Sequence, residues 1–98
     1  MAQNIGKYES IFIIDPSLTE EATKEIIKKF TDLVEKHATM NSVEEWGKRR
    51  LAYEINDHKE GHYVLMNFSA SPDFPAELTR IYNITEEIMR SMTIALEQ

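Results

Sequence analysis

Apolar positions along the chain change period several times, and each change marks an element. Over residues 7–15 they alternate, with Phe12 and Ile14 on one face and Ile11 and Ile13 on the other. β-Branched residues at a period of two predict a strand, and apolar side chains on both faces predict a central one. Asp15-Pro16-Ser17 breaks it. The spacing then becomes three and four residues. Ala22, Ile26, Phe30, Leu33, Val34 and His37 form a helical stripe with Ile27 at its edge, while Glu20, Glu21, Lys24, Glu25, Lys28, Lys29, Asp32 and Lys36 take the wet side. Either Ser17, with Glu20 three residues on, or Thr19 supplies the cap. Glu20 with Lys24, Glu25 with Lys29, and Asp32 with Lys36 stand at i,i+4 in the favourable order, a pattern that stabilises a helix rather than builds a binding site.

From residue 40 to 55 the pattern is again that of a strand, but with a change of phase. Val43, Leu51, Tyr53 and Ile55 share one parity and Trp46 has the other, with Gly47 at the switch. A glycine inside a strand commonly marks a bulge that re-aims the side chains after it. Residues 56–61 are polar and end in Gly61, which suits a hairpin connection. The next strand, 62–70, carries Val64, Met66 and Phe68 against Tyr63 and Leu65, so it too is expected at the centre of a sheet. Ser71-Pro72-Asp73-Phe74-Pro75 opens a short helix, with Ser71 or Asp73 near its start and Ala76, Leu78, Ile81 and Tyr82 as packing positions.

The closing segment is ambiguous by local pattern. Ile84, Ile88, Met92, Ala95 and Leu96 fit a helical stripe, whereas Ile88, Arg90, Met92 and Ile94 alternate as a strand face. Local spacing leans to the helix, and consistency with the preceding strand, helix, strand, strand, helix order favours the strand. Two helices would then cover one face of an antiparallel sheet. The other face would be uncovered yet apolar, because the central strands carry apolar residues on both sides.

Composition narrows the function classes. At 98 residues the chain is expected to form a single domain, 1–98, with one modest core. The lack of cysteine removes disulfides and thiolate chemistry and fits a reducing compartment. No apolar run reaches the length of a membrane span and the first residues lack a signal-peptide pattern, so a cytoplasmic location is the default. The formal net charge is -6, yet Lys48, Arg49 and Arg50 are consecutive, three of only eleven Lys and Arg residues. Such a run either contacts a polyanion locally or guards a sheet edge against strand-to-strand aggregation.

Catalysis finds no constellation. Glu44 with Glu45, and Glu86 with Glu87, are adjacent acids that point to opposite faces of a strand. His37, His58 and His62 share no metal-ligand spacing, and phosphate-loop and nucleophile-elbow motifs are missing, so no cofactor and no metal are expected. Two binding modules of related architecture are the alternatives: an RNA-recognition motif, which Glu60 before Gly61 and the aromatic spacing argue against, and a small-molecule regulatory domain.

The run Trp46-Gly47-Lys48-Arg49-Arg50-Leu51-Ala52-Tyr53-Glu54-Ile55, with Tyr8-Glu9-Ser10-Ile11-Phe12-Ile13-Ile14 before it and Glu60-Gly61-His62-Tyr63-Val64-Leu65 and Arg90-Ser91-Met92 after it, resembles the bacterial small-subunit ribosomal protein six family. The resemblance covers nearly the whole chain. It implies an α+β, ferredoxin-like βαββαβ sandwich, with two helices on one face of a four-stranded antiparallel sheet, and it makes the closing segment a strand. It also implies a ribosome-associated structural protein, not an enzyme, that binds small-subunit ribosomal RNA together with ribosomal protein eighteen. Carried over position by position, the resemblance makes Lys48, Arg49 and Arg50 phosphate contacts and Tyr8 and Tyr53 aromatic positions, of which Tyr8 is the RNA-binding candidate. Arg90 becomes a further RNA contact, and Trp46 a packing or partner contact.

Overall fold

The computed structural model describes residues 5–55 and 58–96. The elements run β1 (Gly6–Ile14), α1 (Glu20–His37), β2 (Thr39–Ile55), β3 (His58–Ala70), α2 (Phe74–Ile84) and β4 (Ile88–Leu96). The strands form one sheet in the order β2-β3-β1-β4, with every neighbouring pair antiparallel. This is the expected ferredoxin-like arrangement. The two strands with apolar residues on both faces, β1 and β3, are the central pair.

Both helices pack on one face. Phe12 and Ile14 of β1 and Val64, Met66 and Phe68 of β3 join Ile27, Phe30 and Val34 of α1 and Phe74, Leu78 and Tyr82 of α2 in one buried cluster. The rings of Phe12, Phe30 and Tyr82 meet pairwise with centroids 4.6–5.3 Å apart. Tyr82 brings a hydroxyl into this core, and Ser10 satisfies it at 2.9 Å. Thr93 of β4 donates in turn to Ser10 at 3.1 Å.

α1 starts where Thr19 Oγ1 accepts the backbone N–H of Ala22 at 3.1 Å. Ser17 is not the cap, because its N–H and hydroxyl both donate to Asp15 Oδ1, which closes a turn before the helix. The buried stripe runs through Ile27 rather than Ile26, so Ile27 lies inside the core and not at its edge. Among the described residues α1 closes one ion pair, Lys28 to Asp32 at 2.8 Å, in place of the three suggested by spacing. In α2 the buried positions are Phe74, Leu78 and Tyr82, one per turn. Ala76, expected to pack, lies on the opposite side and is exposed.

The closing segment is a strand, and the sheet supplies the reason. As a strand it pairs with β1 from Lys7–Leu96 to Ile14–Ile88 and saturates an edge that would otherwise be bare. The helical stripe would have gained little, since Ile84 and Met92 are 68% and 59% exposed where they stand.

The expected loop at 56–61 is shorter than its composition suggests. β2 continues to Ile55 and β3 begins at His58, while residues 56 and 57 lie outside the described residues. Beyond Ile14, which pairs with His62, β1 no longer accompanies the hairpin, so this stretch is a two-stranded ribbon. Without a third strand there is little apolar surface to cover, and polar residues occupy positions that are nevertheless extended.

Candidate nucleic-acid and partner interface

The site is built on β2, an edge strand whose register slips at Gly47. Glu45 stands opposite Val64 and Gly47 opposite Tyr63, so Trp46 is the extra residue of a bulge. Gly47 has φ 75°, a conformation that glycine adopts without strain. The slip reverses the facing of everything after it. Val43 and Glu45 share the helix-covered side with their partners Met66 and Val64, whereas beyond the bulge that side is taken by Lys48, opposite His62.

The three cations divide accordingly. Lys48 lines a cleft on the helix-covered side with Leu18, Glu20, Thr23 and His62. Arg50 follows two residues later on the same side, and Arg49, opposite Gly61, points to the uncovered face. All three are exposed, and none has a carboxylate at ion-pair distance among the described residues. The helices behave differently. Lys28 is hydrogen-bonded to Asp32, which raises its pKa, and the hydrogen bond from Arg80 holds the Glu77 carboxyl below its ordinary range. Two helix cations, Lys28 and Arg80, are compensated by a carboxylate on their own helix, whereas the three consecutive cations of the β2 edge have no such partner among the described residues.

The uncovered face carries a second feature, an apolar floor. Ile13, Leu51 and Leu65 are buried there without belonging to the helix-side cluster. Around them Trp46, Met92 and Ile94 remain 40%, 59% and 44% exposed. The Trp46 ring stacks on Tyr63 with centroids 6.3 Å apart and planes 15° from parallel. A depression of about 190 Å³ lies between Ile11, Ile13, Tyr63, Arg90, Ser91 and Met92. Arg90 therefore sits on the same face as Arg49 and Trp46, at its β4 side.

Tyr8 is on the other side of the sheet. It is half-buried against the helix-side core, with its ring 5.8 Å from that of Phe68. The proposed site residues thus fall into two groups: Trp46, Arg49 and Arg90 on the uncovered face, and Tyr8, Lys48 and Arg50 on the helix-covered side. The side chain of Tyr53 lies outside the described residues. Sequence reasoning left Tyr63 and Met92 out of the site, although the double-sided apolar pattern of β1 and β3 was the signal for them.

His62 faces the cleft with its Nε2 buried and 3.9 Å from Glu45 Oε1, whereas the His37 ring lies tilted against Phe74 at the far end of α1. Among the described residues no three His, Asp or Glu side chains are grouped to hold a metal ion. No helix among the described residues is long and apolar enough to cross a membrane.

Comparison with known proteins agrees with the fold. Residues 7–95 match the family model described as Ribosomal protein S6. The chain is 49% identical over 92 residues to small ribosomal subunit protein bS6 of Clostridium novyi (strain NT), covering 93% of this chain and 97% of the relative. It is 45% identical over 94 residues to small ribosomal subunit protein bS6 of Alkaliphilus oremlandii (strain OhILAs), covering 96% and 100%. The crystal structure of 30S ribosomal protein S6 from Thermotoga maritima superposes with a TM-score of 0.89 at 32% identity, over 95% of this chain and 89% of that one.

Proposed function

The chain belongs to the ribosomal protein S6 family, structural and non-enzymatic proteins of the small ribosomal subunit in the cytoplasm, and from that membership we propose that its β2 edge binds small-subunit ribosomal RNA while its uncovered sheet face receives ribosomal protein eighteen. The observation that carries the reading is the division of labour on β2. Cations without an acidic partner among the described residues stand on the edge, immediately beside an apolar face with a stacked Trp46–Tyr63 pair.

Lys48, Arg49 and Arg50 contact phosphates, with each arginine able to hold two oxygens in a fork. Side chains from both faces of an edge strand wrap a backbone that a flat sheet surface would meet from one side only. Arg90, on the opposite edge strand β4, supplies a separate RNA contact at the rim of the uncovered face. Tyr8 commits most of its ring to the core, so its contribution is a hydroxyl at the sheet margin rather than a stacking surface. Trp46 is the partner contact: a large, half-exposed aromatic stacked on Tyr63, on the same face as the exposed Met92 and Ile94 of β4, is the composition of an interface.

The net charge of -6 repels RNA at long range, so a basic protein partner supplies the missing attraction. Labelled small-subunit RNA titrated with this protein alone, and with this protein plus ribosomal protein eighteen, tests the reading. The pair is expected to bind more tightly than the single chain, and equal affinity in the two titrations would refute the cooperative arrangement.

A further inference from the structure

Resting on the RNA reading of the basic strand, we infer that the Gly47 bulge is a positioning element for RNA binding, which selects Arg49 for the uncovered face and fixes its guanidinium through the Trp46 carbonyl. Two observations converge. The register slip at Trp46 reverses the facing of residues 48–50, so that Arg49 rather than Lys48 and Arg50 stands beside Trp46 and Tyr63. In addition, Arg49 Nε–H donates to the Trp46 carbonyl oxygen at 3.1 Å.

The second contact is a product of the bulge. Three residues of regular strand span about 10 Å, and each carbonyl lies roughly in the plane of the sheet, away from the side chains. At Gly47 the chain instead turns through φ 75°, and the Trp46 carbonyl comes within reach of a side chain three residues on. Among the described residues nothing else bonds the Arg49 guanidinium, whose two terminal nitrogens are left as a preset fork. A planar guanidinium held at Nε loses less rotational freedom on meeting a phosphate than a free one does. The bulge itself is empty of steric demand, since a Cβ at residue 47 would meet nothing within 4 Å. Only the positive φ favours glycine, and asparagine adopts positive φ at less cost than alanine does.

The test measures affinity and salt slope of the complex with ribosomal protein eighteen for small-subunit RNA, with each variant shown by its melting curve to be folded at the assay temperature. Arg49→Ala is expected to weaken binding roughly tenfold, the scale of one charge-assisted contact, and to reduce the salt slope by about one. Gly47→Ala is expected to weaken it about three- to tenfold, with no further loss when it is added to Arg49→Ala, while Gly47→Asn retains the parent affinity. Arg49→Lys leaves the backbone intact and keeps the charge but has no donor at the ε position, so affinity falls while the salt slope stays. Losses from Gly47→Ala and Arg49→Ala that multiply independently, an Asn variant as weak as the Ala one, or full affinity in Arg49→Lys would overturn the positioning role and leave the RNA reading standing. An Arg49→Ala complex with unchanged affinity and slope would overturn both.

Discussion

Gly61→Ala should destabilise the fold, although alanine in a strand is ordinarily the better residue. Replacing glycine by alanine at an unhindered strand position gains roughly 0.5–1 kcal/mol, because glycine surrenders more backbone freedom on folding. Here the gain is outweighed. A Cβ on Gly61 would lie 2.2 Å from Ile13 Cγ2 and 3.4 Å from Leu51 Cδ2. Ile13 Cγ2 branches directly from Cβ on a central strand and the residue is only 8% exposed, so it cannot swing aside as the end of a long side chain would. Either Ile13 leaves its rotamer or β1 and β3 shift apart, and overpacking of this kind costs about 1–3 kcal/mol. At roughly 4–8 °C per kcal/mol for a domain of this size, a net loss near 1–2 kcal/mol lowers Tm by about 4–16 °C. Thermal and urea melts of the parent, Gly61→Ala, Ile13→Leu and the double variant measure it. Leucine lacks a branch at Cβ, so the double variant should recover part of the loss, which makes the two changes non-additive. A Gly61→Ala protein as stable as the parent, or more stable, would refute the packing argument and return Gly61 to the hairpin-turn role that its position in the sequence suggests.

Four further outcomes are expected. Tyr82→Phe removes the hydroxyl that meets Ser10 in the core and should cost about 0.5–1.5 kcal/mol in urea melts, with Ser10 still held by Thr93. Burial raises the Tyr82 pKa above its ordinary value, against a smaller lowering by the Ser10 hydrogen bond. Its stabilising contribution is therefore complete below about pH 10, where the unfolded phenol titrates, and declines as pH rises from there toward the folded-state value. Absorbance titration should find one of the four tyrosines protonated until the protein unfolds, and simultaneous ionisation of all four in the folded state would contradict this. Thr19→Ala deletes the α1 cap and should lower stability by about 1 kcal/mol, whereas Ser17→Ala, outside the helix, should cost less. Arg50→Ala, on an exposed edge position, should leave stability within about 1 kcal/mol while weakening RNA binding by the complex. Unaltered affinity and salt slope would move that contact off the strand.

Where the sequence carried a repeating physical demand, the demand was enough to predict the element. The stripe ending at His37 had one helical solution, and apolar residues on both faces of 7–15 and 62–70 could be satisfied only at the centre of a sheet. Even the bulge was legible, because Trp46 and Leu51 have opposite parity, as two residues that share a face do only across an inserted residue, and Gly47 stands between them. The tertiary structure decided what local pattern held in balance. Residues 88–96 suit a helix about as well as a strand, and the bare edge of β1 chose the strand by offering a ladder of backbone partners. The role of Gly61 was settled by the neighbour that crowds it, Ile13, 48 residues away in sequence and visible only once β1 lies beside β3. Likewise the sequence placed Lys48, Arg49 and Arg50 on alternate faces, but which face received which cation depended on the register of β2 against β3. Alternation is a property of one strand, whereas facing is a property of two.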